Sequence, residues 1–289
     1  MQLFLLTAIT MVAFAANSVL NRVAVAGGLI EPVPFAVVRL LAGAAMLGGL
    51  ILARRGLQGR RLWPGAGRRR LVGAFSLLLY LFGFSLAYRR LDAGVGALIL
   101  FGTVQITMFA GALALREPLP GRRWAGAVLA FAGLLWLFAP WARAGLAVSP
   151  PHAGLMLGAG VGWGLYSLAA RGAGDPLGAT AWNFLLAVVP GLLIAAGLAG
   201  GIGLQGAAAE GIGLAILSGA VTSGLGYALW YLVLPGLGPS RAAVAQMTAP
   251  VIAAAGGLLF LGEPVTLRLA VAALLVLGGV ALSSRPARG

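Results

Sequence analysis

Long apolar runs, separated by breaks of only a few residues, fill this chain from end to end. An α-helix needs about 20 apolar residues to cross the hydrocarbon core of a bilayer. Ten segments meet that requirement, at roughly 3–22, 33–53, 71–88, 93–115, 124–140, 153–170, 177–199, 211–233, 241–262 and 265–283. Backbone polar groups in lipid must bond within the chain, and a helix satisfies them. The sequence therefore predicts an all-α integral membrane protein with ten transmembrane helices.

Composition excludes several classes of function. Only 9% of the residues are charged and the mean hydropathy is +1.00, whereas soluble domains contain about 25% charged residues. The chain has no cysteine and one histidine, His152. Disulfides, thiolate metal sites and cysteine nucleophiles are thereby excluded, and a histidine-based metal site is not expected. We expect no metal, no cofactor and no enzymatic activity.

Positive charge predicts the orientation in the membrane. All 20 basic residues are arginines, and most lie in the short breaks between apolar runs. Because cytoplasmic loops retain positive charge, an N-terminus inside the cell places fourteen arginines on the cytoplasmic side and five on the other. We therefore expect a multi-pass protein of the bacterial inner (plasma) membrane with both termini in the cytoplasm. The basic segment 53–70 is interpreted as a topology signal, with lipid-headgroup binding as the alternative, and no nucleic-acid partner is expected.

An acid–proline pair occurs twice, as Glu117-Pro118 and Glu263-Pro264, 146 residues apart (263 − 117). At this shift other residues coincide, among them Gly73 with Gly219, Gly111 with Gly257, Arg122 with Arg268 and Gly133 with Gly279. A slightly different shift pairs Ser18 with Ser167 and Arg22 with Arg171. We interpret these matches as an internal duplication, with residues 1–148 as the first five-helix repeat and 149–289 as the second.

Five spans in each repeat force the second copy to enter the membrane with opposite polarity. Inverted repeats let a carrier exchange an inward-open form for an outward-open form around a central cavity. The duplication therefore predicts a transporter that works by alternating access. A scaffold that was merely enlarged by duplication is the alternative.

Three stretches carry a family resemblance: "PFAVVRLLAGAAML" (34–47), residues 87–138 and residues 231–282. They resemble the EamA-type branch of the drug/metabolite transporter superfamily, over essentially the whole chain. The resemblance implies a basket of ten helices around a central cavity and export of amino acids or other metabolites. YddG-like exporters of aromatic amino acids are one subgroup. The fourth span has Val104 where the ninth has Pro250, so the two halves need not bend alike.

Polar side chains inside the spans are candidate substrate contacts, because they are costly in lipid and face the bundle interior. In the first span Asn17 and Asn21 share a face, with Ser18 beside them. Hydrogen bonding between helices is the alternative role for these amides. The glycines of 154–164 are predicted to allow close helix packing.

Aromatic side chains form a second candidate set, because an apolar ligand body packs well against rings. They are Tyr80 and Phe84 in the third span, Trp163 and Tyr166 in the sixth, and Tyr227 with Trp230 or Tyr231 in the eighth. An aromatic belt at the membrane interface is the alternative, and it suits Tyr88 and Tyr231 near span ends.

Pro250 interrupts the predicted ninth span, so the carbonyl of Gln246 loses its usual donor. With the side chains of Gln246 and Thr248, this carbonyl is a candidate site for an ammonium or hydroxyl group, as in other carriers with broken helices. A hinge at Pro250 without ligand binding is the alternative. In the fourth span, Gln105 at comparable depth is the predicted contact.

Arg39 is the only basic residue well inside a span. It is a candidate counter-ion for a carboxylate ligand. The resemblance implies that an arginine is common at this place, so a structural role is the alternative. The acidic residues all lie in loops or at span ends, and proton or sodium coupling through a buried carboxylate is therefore not expected.

These observations together predict an inner-membrane exporter of small metabolites, with aromatic or hydrophobic amino acids as preferred cargo. Nucleosides, drugs and other metabolites are the alternative cargoes. A membrane enzyme, a lipid-handling protein and a passive structural or sensory subunit are the alternative classes. We expect the chain to act as a monomer in the lipid bilayer on a small-molecule substrate.

Overall fold

The structure, a computed structural model, describes residues 1–56, 67–116, 120–138, 148–170, 174–199 and 203–283. Within these ranges all regular structure is helical. The elements are α1 (Gln2–Ala26), α2 (Pro32–Gly56), α3 (Arg68–Ala87), α4 (Ala93–Ala114), α5 (Gly121–Phe138), α6 (Pro150–Ala170), α7 (Pro176–Ala199), α8 (Ala209–Ile216), a π-helical segment (Leu217–Leu225), α9 (Gly226–Gln246), α10 (Thr248–Leu261) and α11 (Leu267–Ser283).

Seven helical stretches among the described residues are long and apolar enough to cross a membrane. They are α1, α2 to Arg54, α3, α4, α6, α7 and the continuous run from α8 to Leu237. The apolar helices α10 and α11 are shorter, and α5 has 18 residues. The chain is therefore a multi-pass α-helical membrane protein, and the number of ten spans stays a prediction.

Proline and glycine set several helix ends. α2, α6 and α7 begin at Pro32, Pro150 and Pro176, because proline in the first turn gives up no helical hydrogen bond. α10 ends at Leu261, and the next residue, Gly262, has a left-handed φ of +64°, which favours glycine. The chain reverses there, and the backbone N–H of Glu263 donates to the carbonyl of Gly257 at 3.1 Å.

The predicted break between the eighth and ninth spans is wrong. The turn-like sequence "LPGLGPSR" (234–241) lies inside α9, and the interruption comes at Met247 instead. Proline and glycine lower the intrinsic helix propensity of a segment. In lipid this effect is outweighed, because the backbone polar groups must form hydrogen bonds within the chain. Pro250 lies in the first turn of α10, where its missing N–H is not needed. Pro190 lies in the middle of α7, where the helix continues through it.

The helices of the two halves pack in corresponding pairs. α6 packs against α3 and α4, and α1 packs against α9 and α10. α2 lies against α7, and α5 lies against α11. Exchanging α1 with α6, α3 with α9 and α4 with α10 converts one set of contacts into the other, as a two-fold arrangement requires.

Glycines in α6 allow that helix to touch its neighbours backbone to backbone. A Cβ added to Gly162 would lie 2.7 Å from the carbonyl oxygen of Ser76 and 2.8 Å from the backbone nitrogen of Tyr80. A Cβ on Gly160 would lie 2.6 Å from Cβ of Thr103. The predicted role of the 154–164 glycines in close packing is confirmed at these positions.

One end of the bundle, here called the Arg22 face, is tied together by ion pairs. Arg22 at the end of α1 donates from Nε to Glu263 at 2.8 Å and from Nη2 to Asp92 at 3.1 Å. The other carboxylate oxygen of Glu263 accepts the backbone N–H of Ala93 at 2.7 Å, at the start of α4. The Arg22 face thus joins α1, α4 and the end of α10.

The opposite end, here called the Arg54 face, is less tightly packed. Arg54 at the end of α2 pairs there with Asp175, which precedes α7. Along α4 every residue from Ala93 to Leu100 is buried, whereas from Gln105 to Leu115 Ala112 alone is buried. α4 is therefore more deeply buried near the Arg22 face than near the Arg54 face. Glu117 and Arg171, the repeat counterparts of Glu263 and Arg22, lie outside the described residues.

Candidate functional site

A charged side chain lies in the bundle interior near the Arg22 face. Arg39, in the second turn of α2, is 0% exposed. Its Nη2 donates to the hydroxyl of Tyr80 at 2.8 Å and to Ser223 at 3.2 Å, and its Nε donates to Ser223 at 3.3 Å. Its Nη1 is buried and has no hydrogen-bond partner among the described residues. The guanidinium is thus held by neutral groups with one nitrogen unused.

The π-helical segment reaches Arg39 because of a glycine. A Cβ on Gly219 would lie 2.2 Å from the carbonyl oxygen of Arg39, so a larger residue would push the segment away from α2. This close approach places the Ser223 hydroxyl against the guanidinium. π-Helical turns are rare and frequently occur at functional sites.

Aromatic rings surround the guanidinium. The ring centroids of Tyr80 and Phe84 lie 5.2 and 5.0 Å from Arg39 Cζ, which is within cation–π range. The Trp163 ring lies 5.0 Å from Tyr80, 5.1 Å from Tyr166 and 5.1 Å from Tyr227. Residues predicted separately in three spans thus form one cluster, which we call the ring cluster (Tyr80, Phe84, Trp163, Tyr166 and Tyr227).

Trp163 is the member of the ring cluster that is only half-buried. The other four rings are buried. On α6, Trp163 points away from Val161 and Leu165, which are exposed on the outer surface and lie two residues on either side, about 200° around the helix. The exposed part of Trp163 therefore faces the bundle interior.

Asn17 binds the π-helical segment. Its Oδ1 accepts hydrogen bonds from Thr222 at 2.6 Å, Ser218 at 2.8 Å and Ser223 at 3.4 Å. Its Nδ2 donates to the carbonyl of Ala13 at 3.3 Å. Because Ser223 contacts both Asn17 and Arg39, the amide is connected to the guanidinium through one hydroxyl.

The other candidates in α1 lie nearer the Arg22 face. Asn21 Nδ2 donates to the hydroxyl of Ser85 at 2.9 Å. Ser18 is buried and interacts with the hydroxyl of Tyr88. Tyr88 does not belong to an interfacial belt: it is 0% exposed, its hydroxyl donates to the carbonyl of Ala93 at 3.3 Å, and Gly96 leaves room for its ring.

The remaining predicted contacts lie farther from the Arg22 face than Arg39 does. Gln105 is about 18 Å along α4 from its start, whereas Arg39 is about 10 Å along α2 from its start, at 1.5 Å per residue. Gln105 and Gln246 are half-buried, and neither side chain has a hydrogen-bond partner among the described residues. At the helix break, the exposed Thr248 donates its hydroxyl to the carbonyl of Ala245 at 2.7 Å, and Pro250 is buried.

Sequence reasoning missed the polar residues of the eighth span. Ser218, Thr222 and Ser223 are buried and carry the contacts to Asn17 and Arg39. Thr180 of α7 was also missed; it accepts from Tyr166 at 3.0 Å and donates to Tyr231 at 2.9 Å. The available signal was three hydroxyl residues within six positions of an apolar run, which lipid disfavours unless they face inward.

The family model of the EamA-like transporter family matches residues 2–139 and again residues 152–285. The chain belongs to the EamA-like transporter family. An uncharacterised protein of Pseudomonas aeruginosa is 46% identical over 287 residues, which cover 99% of this chain and 95% of that protein. A chain of known crystal structure is 20% identical and has a TM-score of 0.62, covering 95% of this chain and 96% of that chain. At that identity the likeness shows a shared fold.

The interior of this EamA-family protein offers groups that can bind a small molecule. The described carboxylates lie at helix ends, at Glu31, Asp92, Asp175, Glu210 and Glu263. No group of three or more His, Asp or Glu side chains in the described part of the chain is arranged to hold a metal ion. What the interior offers is a cation, hydroxyls, amides and rings, which recognise a small molecule by charge, hydrogen bonds and apolar contact.

Proposed function

We propose that this EamA-family protein exports small metabolites across the bacterial inner membrane, with aromatic or hydrophobic amino acids as preferred cargo. The observation that carries the proposal is the ring cluster around Arg39, which combines side chains from both halves of the chain inside a membrane-spanning bundle. Rings supply contact area for an apolar ligand body, and a few polar groups fix its orientation.

The predicted contacts have different roles in this proposal. The ring cluster binds the apolar part of the cargo. Polar groups of the cargo bind on the side toward the Arg54 face, to Gln105, Gln246 and Thr248. Asn17 and Ser18 complete the site beside α3, with Asn17 acting through the π-helical segment. Pro250, in the first turn of α10, is the hinge residue beside the break at Met247, where α10 moves relative to α9.

Alternating access is the proposed mechanism, with residues 1–148 and 149–289 as the inverted repeats. The ion pairs of Arg22 close one face, and the second half of α4 is less buried toward the other. We assign the Arg22 face to the outside and the Arg54 face to the cytoplasm, so this conformation receives cargo from the cytoplasm. Release outside then requires the Arg22 ion pairs to separate.

The proposed export is driven by the concentration gradient of the cargo. A coupled carrier needs an interior group that binds a proton or sodium ion, and the described carboxylates lie at helix ends. In proteoliposomes, cargo is therefore expected to equilibrate and not to accumulate when a proton or sodium gradient is imposed. Accumulation driven by either gradient would contradict this part of the proposal.

Counterflow in proteoliposomes tests the cargo class. Vesicles are loaded with labelled aromatic amino acids, aliphatic amino acids, nucleosides or unrelated drugs, and exchange is measured for each. We expect aromatic amino acids to exchange fastest. Trp163→Ala should slow that exchange by roughly ten-fold, as expected for the loss of about 1.4 kcal/mol of contact.

Trp124→Ala is the matched control, because Trp124 is 48% exposed on α5 and contacts Phe109 rather than the ring cluster. It should leave exchange unchanged. Faster exchange of a nucleoside or drug than of any amino acid would contradict the amino-acid cargo and retain the transporter. Absence of exchange for the whole panel would contradict the proposed function itself.

A further inference from the structure

The positive charge of Arg39 has no negative partner among the described residues. Arginine stays protonated in proteins, and the groups that hold this one are the neutral hydroxyls of Tyr80 and Ser223. The described carboxylates that form ion pairs do so with other arginines at the two faces: Glu31 with Arg89, Asp92 and Glu263 with Arg22, and Asp175 with Arg54. Within the part of the chain that the structure describes, Arg39 is therefore an uncompensated cation inside the bundle.

A buried charge without a counter-ion is costly, and buried charges in proteins are normally paired. Arg39 also has Nη1 without an acceptor while being 0% exposed. An oxyanion supplies both missing elements at once, because a carboxylate matches the fork of two guanidinium nitrogens with two parallel hydrogen bonds. An anion would therefore satisfy both the unused nitrogen and the charge of Arg39.

We propose that Arg39 binds the carboxylate of the transported molecule, and that the cargo is an aromatic monocarboxylate. This inference rests on the proposed export function and revises its preferred cargo, because aromatic amino acids become the zwitterionic and more weakly bound members of a wider class of aromatic carboxylates. One carboxylate oxygen gives Nη1 its acceptor, and the other replaces the Tyr80 hydroxyl at Nη2. The aromatic body then lies against Tyr80 and Trp163, on the half-buried side of the ring cluster.

The charge of the site selects among ligands of the same shape. A monoanion neutralises Arg39, whereas a dianion leaves a net negative charge in its place. The α-ammonium group of an amino acid would meet hydroxyls and rings in the ring cluster. None of the described side chains of the cluster is a carboxylate that could neutralise it. The site should therefore prefer an aromatic monocarboxylate to the zwitterion of an aromatic amino acid, and both to a neutral amide of the same size.

Three probes of similar shape test this preference on the purified full chain. They are 3-phenylpropanoate, L-phenylalanine and 3-phenylpropanamide, and binding is measured at pH 7.5 by the shift in thermal unfolding temperature over a concentration series. The amide matches the carboxylate in size but carries no charge. We expect 3-phenylpropanoate to bind at least ten-fold more tightly than the amide, with phenylalanine between them.

Variants assign the preference to Arg39. In Arg39→Gln the ratio of carboxylate to amide affinity should fall to about one. Because this is a ratio within one variant, a general loss of stability does not imitate it. Arg90→Gln is the control, since it removes one exposed positive charge at the Arg22 face and should leave the ratio unchanged.

The outcomes separate this inference from the proposed function. Equal affinity for the amide and the carboxylate in the wild-type chain, or an unchanged ratio in Arg39→Gln, overturns the role of Arg39. If Arg39→Gln does not fold, equal affinities of the wild-type chain for the carboxylate and the amide still overturn the inference, because that comparison needs no variant. Failure of all three probes to bind overturns the aromatic monocarboxylate. Counterflow of some other metabolite would then still support the exporter.

Discussion

Arg22 donates a hydrogen bond of 2.8 Å to Glu263, 241 residues further along the chain. The same carboxylate accepts the backbone N–H of Ala93, so a single side chain connects α1, α4 and the end of α10. A Cβ on Gly257 would lie 2.4 Å from Glu263 Oε2, so glycine at position 257 leaves room for the carboxylate. Opening the Arg22 face requires these bonds to break.

Glu263→Gln is expected to open the Arg22 face more often. Charge-assisted hydrogen bonds contribute about 1.5–3 kcal/mol, so losing one shifts the balance by about ten-fold or more. The chain has no native cysteine, so Ala97→Cys introduces a unique reporter. Ala97 is 0% exposed where α4 meets α1 and α10, and its reaction with a membrane-impermeant thiol reagent should speed up.

Glu31→Gln is the control for this measurement. Glu31 pairs with Arg89 at the same face, but both side chains are more than half exposed, and exposed pairs contribute little. The reaction of the Ala97→Cys reporter should not change. A reporter that reacts equally slowly with and without Glu263 would show that these bonds do not hold the face closed.

Gly162→Ala should destabilise the bundle. The added Cβ would meet backbone atoms of α3 at 2.7 and 2.8 Å, and backbone cannot turn aside as a flexible side chain does. Overpacking of this kind costs about 1–3 kcal/mol, which a lower thermal unfolding temperature in detergent would report. Gly154→Ala, on the same helix with nothing within 4 Å of its added Cβ, should be neutral or slightly stabilising. Equal effects of both variants would contradict the close packing of α6 on α3.

Asn17→Ala and Thr222→Val should be coupled. The two side chains share a hydrogen bond of 2.6 Å, and hydrogen bonds between membrane helices contribute about 1 kcal/mol. The double variant should therefore lose less stability than the sum of the single variants, in a double-mutant cycle on unfolding. Thr10→Val supplies the additive control, because the Thr10 hydroxyl bonds to the carbonyl of Leu6 in its own helix. Additivity in both cycles would contradict the bond between α1 and the π-helical segment.

Reporter tags test the orientation. A tag at Met1 marks the start of α1, and a tag after Gly206 marks the connection before α8, where Ala208 bonds to the carbonyl of Leu29 at the Arg22 face. The distribution of arginines predicts Met1 in the cytoplasm and Gly206 outside. Compartment-specific reporter activity in bacterial cells measures this directly. Both tags in one compartment would contradict the proposed orientation.

The predicted spans and the observed helices agree closely along most of the chain. The spans at 93–115, 153–170 and 177–199 differ from α4, α6 and α7 by at most three residues at either end. Hydrophobic length is a local property, and a bilayer imposes it on each segment separately. The break at 234–241 is the exception, since local turn propensity was overruled by the need to bond the backbone in lipid.

The sequence predicted individual residues of the candidate site but not the contacts between them. Tyr80, Trp163 and Tyr166 were recognisable from the sequence as candidate interior aromatics, because an interfacial aromatic belt fits them poorly. That their rings lie about 5 Å apart beside Arg39 depends on the order in which helices pack. For Asn17 the sequence left substrate contact and hydrogen bonding between helices open, and in the structure its oxygen accepts from three hydroxyls of the π-helical segment.

The sequence by itself determined that this chain is a helical membrane protein of the EamA-like family with a duplicated, mostly uncharged interior, because hydropathy, family pattern and repeat can all be read along one dimension. Only the tertiary structure decided that, among the described residues, Arg39 has no carboxylate beside it, whereas Arg22 has two. The physical reason is that pairing of charges depends on contacts between helices far apart in the chain, and such contacts leave no periodic signal in either helix.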